Sequence, residues 1–133
     1  MKVHTLMQSP VTTVNRDMTV GEAIITLADR HISALPVVDG TGRMIGVLST
    51  TDILDAEAAA SDHAARDQLF DDTRVEDLMT TRPLTIAPES DVREAARQML
   101  YGDVHRLFVE EDDRLVGVIS RTDVVRAFAI QRA

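Results

Sequence analysis

The feature that most constrains this chain is that it repeats itself. Leu6-Met7 returns as Leu78-Met79, and the same offset of 72 residues pairs Thr13 with Thr85, Val20 with Val92, Glu22-Ala23 with Glu94-Ala95, Leu35 with Leu107 and Val37 with Val109. After one residue is lost in a turn, an offset of 71 pairs Arg43 with Arg114, Gly46-Val47 with Gly117-Val118, Ser49 with Ser120 and Thr51-Asp52 with Thr122-Asp123. Identities kept in this order along the chain mark two copies of one unit. A unit of about 50 residues cannot bury a sheet alone, so the copies are expected to pack against each other.

Each copy reads as β-α-β-β-α. Residues 11–14 and 84–86 are short β-prone runs. A helix start follows each: Thr19 with Glu22, and Asp91 with Glu94, fit the capping box, in which side chains satisfy orphan backbone donors. Val20, Ala23, Ile24, Leu27 and Ala28 then recur at helical spacing, as do Val92, Ala95, Ala96, Met99 and Leu100. His31 ends the first of these helices, where a cation suits the helix dipole. Leu35, Val37 and Val38, matched by Leu107, Phe108 and Val109, predict a strand. The turns Asp39-Gly40-Thr41-Gly42 and Glu111-Asp112-Asp113 lead into second strands over 44–48 and 115–119. A last helix begins near Ser49 or Ser120. The fold class is thus α/β of the α+β kind. The two units are expected sheet to sheet about a pseudo-two-fold axis, leaving two related clefts of the sort that takes small ligands.

Charge locates the joint between the copies. Residues 55–77 hold eight acids (Asp55, Glu57, Asp62, Asp67, Asp71, Asp72, Glu76, Asp77) against Arg66 and Arg74, so this stretch carries most of the net charge of −8. It is also rich in alanine, a strong helix former, and reads as a solvated helical connector; a docking surface for a basic partner is the sharper alternative. The expected division is a first repeat over 1–54, an acidic connector over 55–74 and a second repeat over 75–133. The acidic balance, with only one Tyr and three Phe and no Trp, argues against tracking a nucleic-acid backbone or stacking single-stranded bases. The absence of cysteine removes disulfides and thiolate chemistry. No stretch approaches the length of a membrane span, and the first ten residues lack the order of a secretory signal, so a cytoplasmic address is expected.

The repeated strings Gly46-Val47-Leu48-Ser49-Thr50-Thr51-Asp52 and Gly117-Val118-Ile119-Ser120-Arg121-Thr122-Asp123 are the best candidates for chemistry. Ser-x-x-Asp at a strand end opens a helix. The Ser and Asp can simply cap it. They can equally offer hydroxyls and amides to a phosphate and a carboxylate to a ribose diol. Both readings can hold together. His4, His31 and His63 have no ligand-like spacing, so no metal site is expected.

These strings, with Ile32-Ser33-Ala34-Leu35-Pro36-Val37-Val38-Asp39, resemble a tandem pair of CBS domains (the cystathionine β-synthase domain pair, or Bateman module), and the resemblance covers about residues 3–125. It implies a regulatory sensor without catalysis, binding adenosine-containing ligands: AMP, ADP or ATP first, with S-adenosylmethionine or NAD as further options. By that resemblance Asp52 and Asp123 would hold ribose hydroxyls, one per cleft. Ser49, Thr51, Ser120 and Thr122 would line sugar and phosphate. Adenine would slot between the early strand, around Thr12 or Leu84, and Ile32-Ser33-Ala34 or Val104-His105-Arg106. Leu48 and Ile119 precede the motif serines and fall in the same sets. The principal site would combine Thr12, Ile32, Ser33, Ala34, His105, Arg106, Ile119, Ser120, Thr122 and Asp123; a second would use Leu84, Val104, Leu48, Ser49, Thr51 and Asp52.

The copies differ at Ser33-Ala34 against His105-Arg106. The string Val104-His105-Arg106-Leu107 looks like the phosphate-binding element of a kinase-regulating member of the family. Arginine suits that task because its planar fork meets phosphate oxygens bidentately and keeps its charge. The plainer reading is a surface Arg beside a structural His. The leading expectation is a free-standing adenine-nucleotide sensor that acts on an effector chain or through self-association, with a homodimer expected. The alternative is a ligand-free interaction module working through dimerisation. An enzyme is not expected, because no nucleophile or general base with a positioned partner is visible.

Overall fold

The computed structural model describes residues 1–81 and 83–132. The elements run α1 (Val3–Leu6), β1 (Val14–Asn15), α2 (Val20–Arg30), β2 (Ala34–Val38), β3 (Met44–Ser49), α3 (Thr50–Ala59) and α4 (His63–Asp71). They continue with α5 (Val75–Leu78), β4 (Thr80–Thr81), β5 (Thr85–Ile86), α6 (Val92–Tyr101), β6 (Arg106–Glu111), β7 (Arg114–Ser120) and α7 (Arg121–Arg132). The β-α-β-β-α order occurs twice, each time behind a one-turn leading helix that the sequence pattern did not suggest.

The compact units do not coincide with the repeats. One comprises Met1–Val11 and Leu84–Ala133; the other comprises Thr12–Pro83. Each repeat's leading segment joins the body of the other. In the first unit the Gln8 N–H donates to the Val118 carbonyl and the Val118 N–H returns to Gln8, while the Val3 N–H reaches Ser90 and the Val92 N–H reaches Met1. In the second unit β4 adds antiparallel to β3, and the Val75 and Glu76 N–H groups donate to Met18 and Arg16. The cause is burial. Val3 and Val75 are fully buried, each completing a core built otherwise from the opposite repeat.

Within each unit the first strand is parallel to the second, and the second and third form an antiparallel hairpin. The sheets run β1-β2-β3-β4 and β5-β6-β7. The register breaks at Val37/Val38 and at Val109/Glu110, the same place in both copies. Leu35, Val37, Leu48, Ala23 and Leu27 pack one core; Leu107, Val109, Ile119, Ala95 and Met99 pack the other. The hairpin turn at 39–43 forms as its composition suggests. Asp39 Oδ1 accepts from the Thr41 hydroxyl at 2.6 Å, the Thr41 N–H at 2.8 Å and the Arg43 N–H at 3.2 Å, and Gly42 adopts φ +85°. The hydroxyl bond above all, then those amides, hold the Asp39 carboxyl below its ordinary range. Its contribution to the turn is therefore present above the usual carboxylate pKa and is lost as pH falls through the lowered value.

Three expectations change in detail. The early strands are shorter than their β-prone runs: pairing starts at Val14 and Thr85, so Thr12 and Leu84 precede the strands instead of lying on them. The helix starts at Thr19 and Asp91 keep only half of the capping box. Thr19 Oγ1 accepts from the Glu22 N–H, but Asp91 caps Arg93, and Glu94 is drawn instead to Arg97 and Gln98. The connector is two helices, broken between Ala60 and Asp62, and α4 lies on α2 with Phe70 over Gly21. Its acids remain solvated. Asp62 caps α4 by accepting from the Ala65 N–H at 2.8 Å. Asp62→Asn can still cap and should shift a denaturant midpoint little, whereas Asp62→Ala should cost about 1 kcal/mol.

Candidate functional site

The repeated Ser-x-x-Asp string forms the same device in both units. Ser49 precedes α3 with its hydroxyl accepting from the Asp52 N–H at 3.2 Å, while Asp52 Oδ2 accepts from the Ser49 N–H at 2.9 Å. Ser120 and Asp123 repeat the pair at the same 3.2 and 2.9 Å. These are full capping boxes, so the structural role of the motif is realised in both copies.

Capping uses one carboxylate oxygen and leaves the other weakly held. Asp52 Oδ1 has the Thr80 hydroxyl at 3.4 Å. Asp123 Oδ1 has the Gln8 amide at 3.5 Å and the Arg126 guanidinium at 3.6 Å. Contacts this long are at the limit of hydrogen bonding, so each oxygen retains capacity for a hydroxyl of another molecule. The copies differ in depth: Asp123 is 3% exposed, whereas Asp52 is half-buried. Sequence reasoning missed Gln8 and Thr80 as neighbours of these carboxylates. The signal was present, since both directly follow the repeated Leu-Met pair.

The second strand of each unit places the next residues beside this helix start. Ala34 is the register partner of Ser49, and Arg106 is that of Ser120. The Thr50 N–H donates to the Ser33 carbonyl, and the Arg121 N–H to the His105 carbonyl, both at 2.9 Å. His105 is exposed and Arg106 half-buried, and neither side chain makes an ion pair or hydrogen bond among the described residues. A guanidinium held on a strand and left unpartnered is suited to meet an anion.

The expected sets are divided differently between the units: Thr12, Ile32, Ser33 and Ala34, expected with Asp123, lie in the unit of Asp52, and Leu84 and Val104, expected with Asp52, lie in the unit of Asp123. One unit brings together His105, Arg106, Ser120, Thr122 and Asp123, with Val104 leading into β6, Ile119 buried on β7 and Leu84 ahead of β5. The other brings together Ser33, Ala34, Ser49, Thr51 and Asp52, with Thr12 ahead of β1 and Leu48 buried on β3. Ile32 packs against its unit's core and lines an apolar recess of about 400 Å³ with Ile24, Leu27 and Ile53. Only the first set carries an arginine, Arg106, at the strand start, with the imidazole of His105 just before it. No group of His, Asp or Glu among the described residues is arranged to hold a metal, and no described helix is long and apolar enough to cross a membrane.

Comparison with known proteins agrees with this duplication. The sequence matches the CBS domain twice, over residues 3–59 and 75–130. It is 28% identical over 130 residues to the chloroplastic CBS domain-containing protein CBSX1 of Arabidopsis thaliana, covering 82% of this chain and 55% of that one. It is 30% identical over 112 residues to the gamma-3 subunit of the 5'-AMP-activated protein kinase of Sus scrofa, covering 84% of this chain and 22% of that subunit. The chain thus spans about half the length, or less, of these curated relatives. Among solved structures, Arabidopsis thaliana CBSX2 in complex with AMP superposes with a TM-score of 0.84 at 27% identity, over 99% of this chain and 98% of that one.

Proposed function

The chain belongs to the CBS domain family, and on that premise we propose that it is a cytoplasmic, non-catalytic regulatory module that binds an adenosine-containing ligand, with AMP, ADP or ATP as the first choice. The observation that carries this reading is the pairing, within one unit, of Asp123 with Arg106. A buried carboxylate with one spare oxygen follows a strand whose register partner presents an unpartnered guanidinium. A nucleoside monophosphate brings a diol for the first and a dianion for the second. The AMP complex of CBSX2 supports the choice of ligand. Ser120 and Thr122 would line the sugar and phosphate.

The test is titration calorimetry of the wild type with AMP, ADP, ATP and adenosine, accompanied by thermal shift. A ligand at a hundred times its Kd should add about 2.7 kcal/mol of stability. If none binds below millimolar concentration, the sensor reading gives way to that of a ligand-free interaction module.

A second observation favours self-association in either case. Leu100 and Tyr101 on α6 are 74% and 96% exposed, and Val125, Phe128 and Ile130 on α7 are also uncovered. Apolar side chains concentrated on helices in this way mark an interaction surface, and a two-fold dimer is the commonest closed assembly. Light scattering at micromolar concentration should give twice the chain mass; a monomeric mass would sink the dimer. An effector chain would engage the module further.

A further inference from the structure

The side chain of Arg121 makes a clasp that its counterpart in the unit of Thr12–Pro83 does not. Its Nε donates to the Val104 carbonyl at 2.9 Å, and its Nη2 reaches the Met99 carbonyl at 3.4 Å and the Asp103 carboxylate at 3.8 Å. Its own N–H donates to the His105 carbonyl at 2.9 Å. One residue therefore ties down both the peptide before His105 and the peptide after it. Arg106 is the next residue, and its backbone direction is set by those two peptides.

The clasp is not needed to form the turn. The Thr12–Pro83 unit builds the same reversal without it: His31 takes φ 54° where Asp103 takes φ 50°, and the Ile32 N–H reaches Leu27 as the Val104 N–H reaches Met99. There the matching position is Thr50, whose hydroxyl makes no hydrogen bond among the described residues and is too short to span three groups. The clasp occurs only in the unit that carries His105-Arg106. A fold requirement would have appeared in both copies.

We propose that Arg121 is a positioning residue for anion recognition, holding the Val104–His105 segment so that Arg106 is presented in one orientation to a ligand phosphate. The inference rests on the nucleotide reading above and adds which residue makes the two units unequal toward phosphate. Its guanidinium is occupied by main-chain oxygens, so it acts through Arg106 and not as a second phosphate ligand. Fixing a side chain before binding removes an ordering cost that would otherwise fall on affinity.

The experiment compares wild type, Arg121→Thr, Arg106→Ala and the double variant by calorimetry with AMP and with adenosine. Thr is chosen because the Thr12–Pro83 unit folds with Thr50 at this place. Arg121→Thr should weaken AMP about fivefold, the scale of freeing one long side chain, and leave adenosine within about twofold. The double variant should bind AMP no more weakly than Arg106→Ala alone, because the clasp has nothing to position once Arg106 is gone. Amide hydrogen exchange at Val104–Leu107 should quicken in Arg121→Thr, and Arg121→Lys should restore AMP binding only in part, since an ammonium lacks the fork. Equal weakening of AMP and adenosine would make Arg121 merely structural and overturn the proposal. Wild-type binding with unchanged AMP affinity in Arg121→Thr would overturn it alone. If the wild type takes up neither compound, the nucleotide reading falls, and this inference falls with it.

Discussion

Arg106→Ala should weaken AMP by about ten- to a hundredfold while leaving adenosine nearly unaffected, and Asp123→Asn should weaken both to a similar extent. The scale is that of a hydrogen bond to a charged group, about 1.5–3 kcal/mol. The two substitutions separate because each removes one half of what a nucleotide offers. Arg106 has no partner to release among the described residues, so its loss should change affinity with little change in stability. Asp123 does two jobs, and Asn keeps one of them: its amide oxygen can still accept from the Ser120 N–H, now 2.9 Å from Oδ2. What it lacks is the charge that strengthens bonds to a diol. Asp123→Ala is the contrasting control, because it also removes the carboxylate arm of the capping box, leaving the Ser120 N–H without its acceptor, and should lower stability by about 1 kcal/mol. Asp52→Asn should matter only if the second set of residues also takes ligand. These outcomes are read by calorimetry with AMP and adenosine beside a denaturant melt. Equal loss of AMP and adenosine in Arg106→Ala would remove the phosphate role given to that residue.

Much of this architecture is legible in the chain because its signals are local. The capping serines, the Asp39 turn and the apolar spacing of α2 and α6 each lie within a few residues, and backbone geometry turns such patterns directly into structure. Duplication doubles every signal, so a Ser-x-x-Asp that would be ambiguous once becomes a shared device when Ser49-Asp52 recurs as Ser120-Asp123. The exchange of leading segments is different. Gln8 pairs with Val118, more than a hundred residues away, and nothing near either residue encodes the choice between Val118 and its counterpart Val47. Composition also hides the break at 60–62. Alanine favours helix on both sides, and only Asp62, as the cap of α4, marks a new start. Arg121 escaped notice for a related reason: its partners are carbonyls, which every residue carries, so no side-chain pattern announces them.

Gly46→Ala should destabilise the chain by about 1–3 kcal/mol, the cost of forcing an added methyl into filled space, while Gly40→Ala should stay within about 0.5 kcal/mol, as open surface changes do. A Cβ on Gly46 would stand 2.7 Å from Met79 Sδ and 2.8 Å from the Thr80 carbonyl oxygen, whereas one on Gly40 would meet nothing within 4 Å. The sulfur can swing aside. The carbonyl cannot, because Thr80 is held in β4 against Val47 and Thr81 against Gly46 itself. Relief therefore requires β4 to leave β3, which would loosen α5, whose first residue is the buried Val75. Gly117 is the matched case in the other unit, with Met7 Sδ at 2.5 Å but the nearest main-chain atom, the Gln8 carbonyl oxygen, at 3.2 Å. There the flexible sulfur carries most of the conflict, so Gly117→Ala should cost less than Gly46→Ala. Denaturant melts of the three variants give the order directly, and amide exchange at Thr80 and Thr81 should quicken in Gly46→Ala alone. A Gly46→Ala chain as stable as Gly40→Ala would mean that the leading segment is not held against the glycine, and the account of why both repeats keep glycine there would fail.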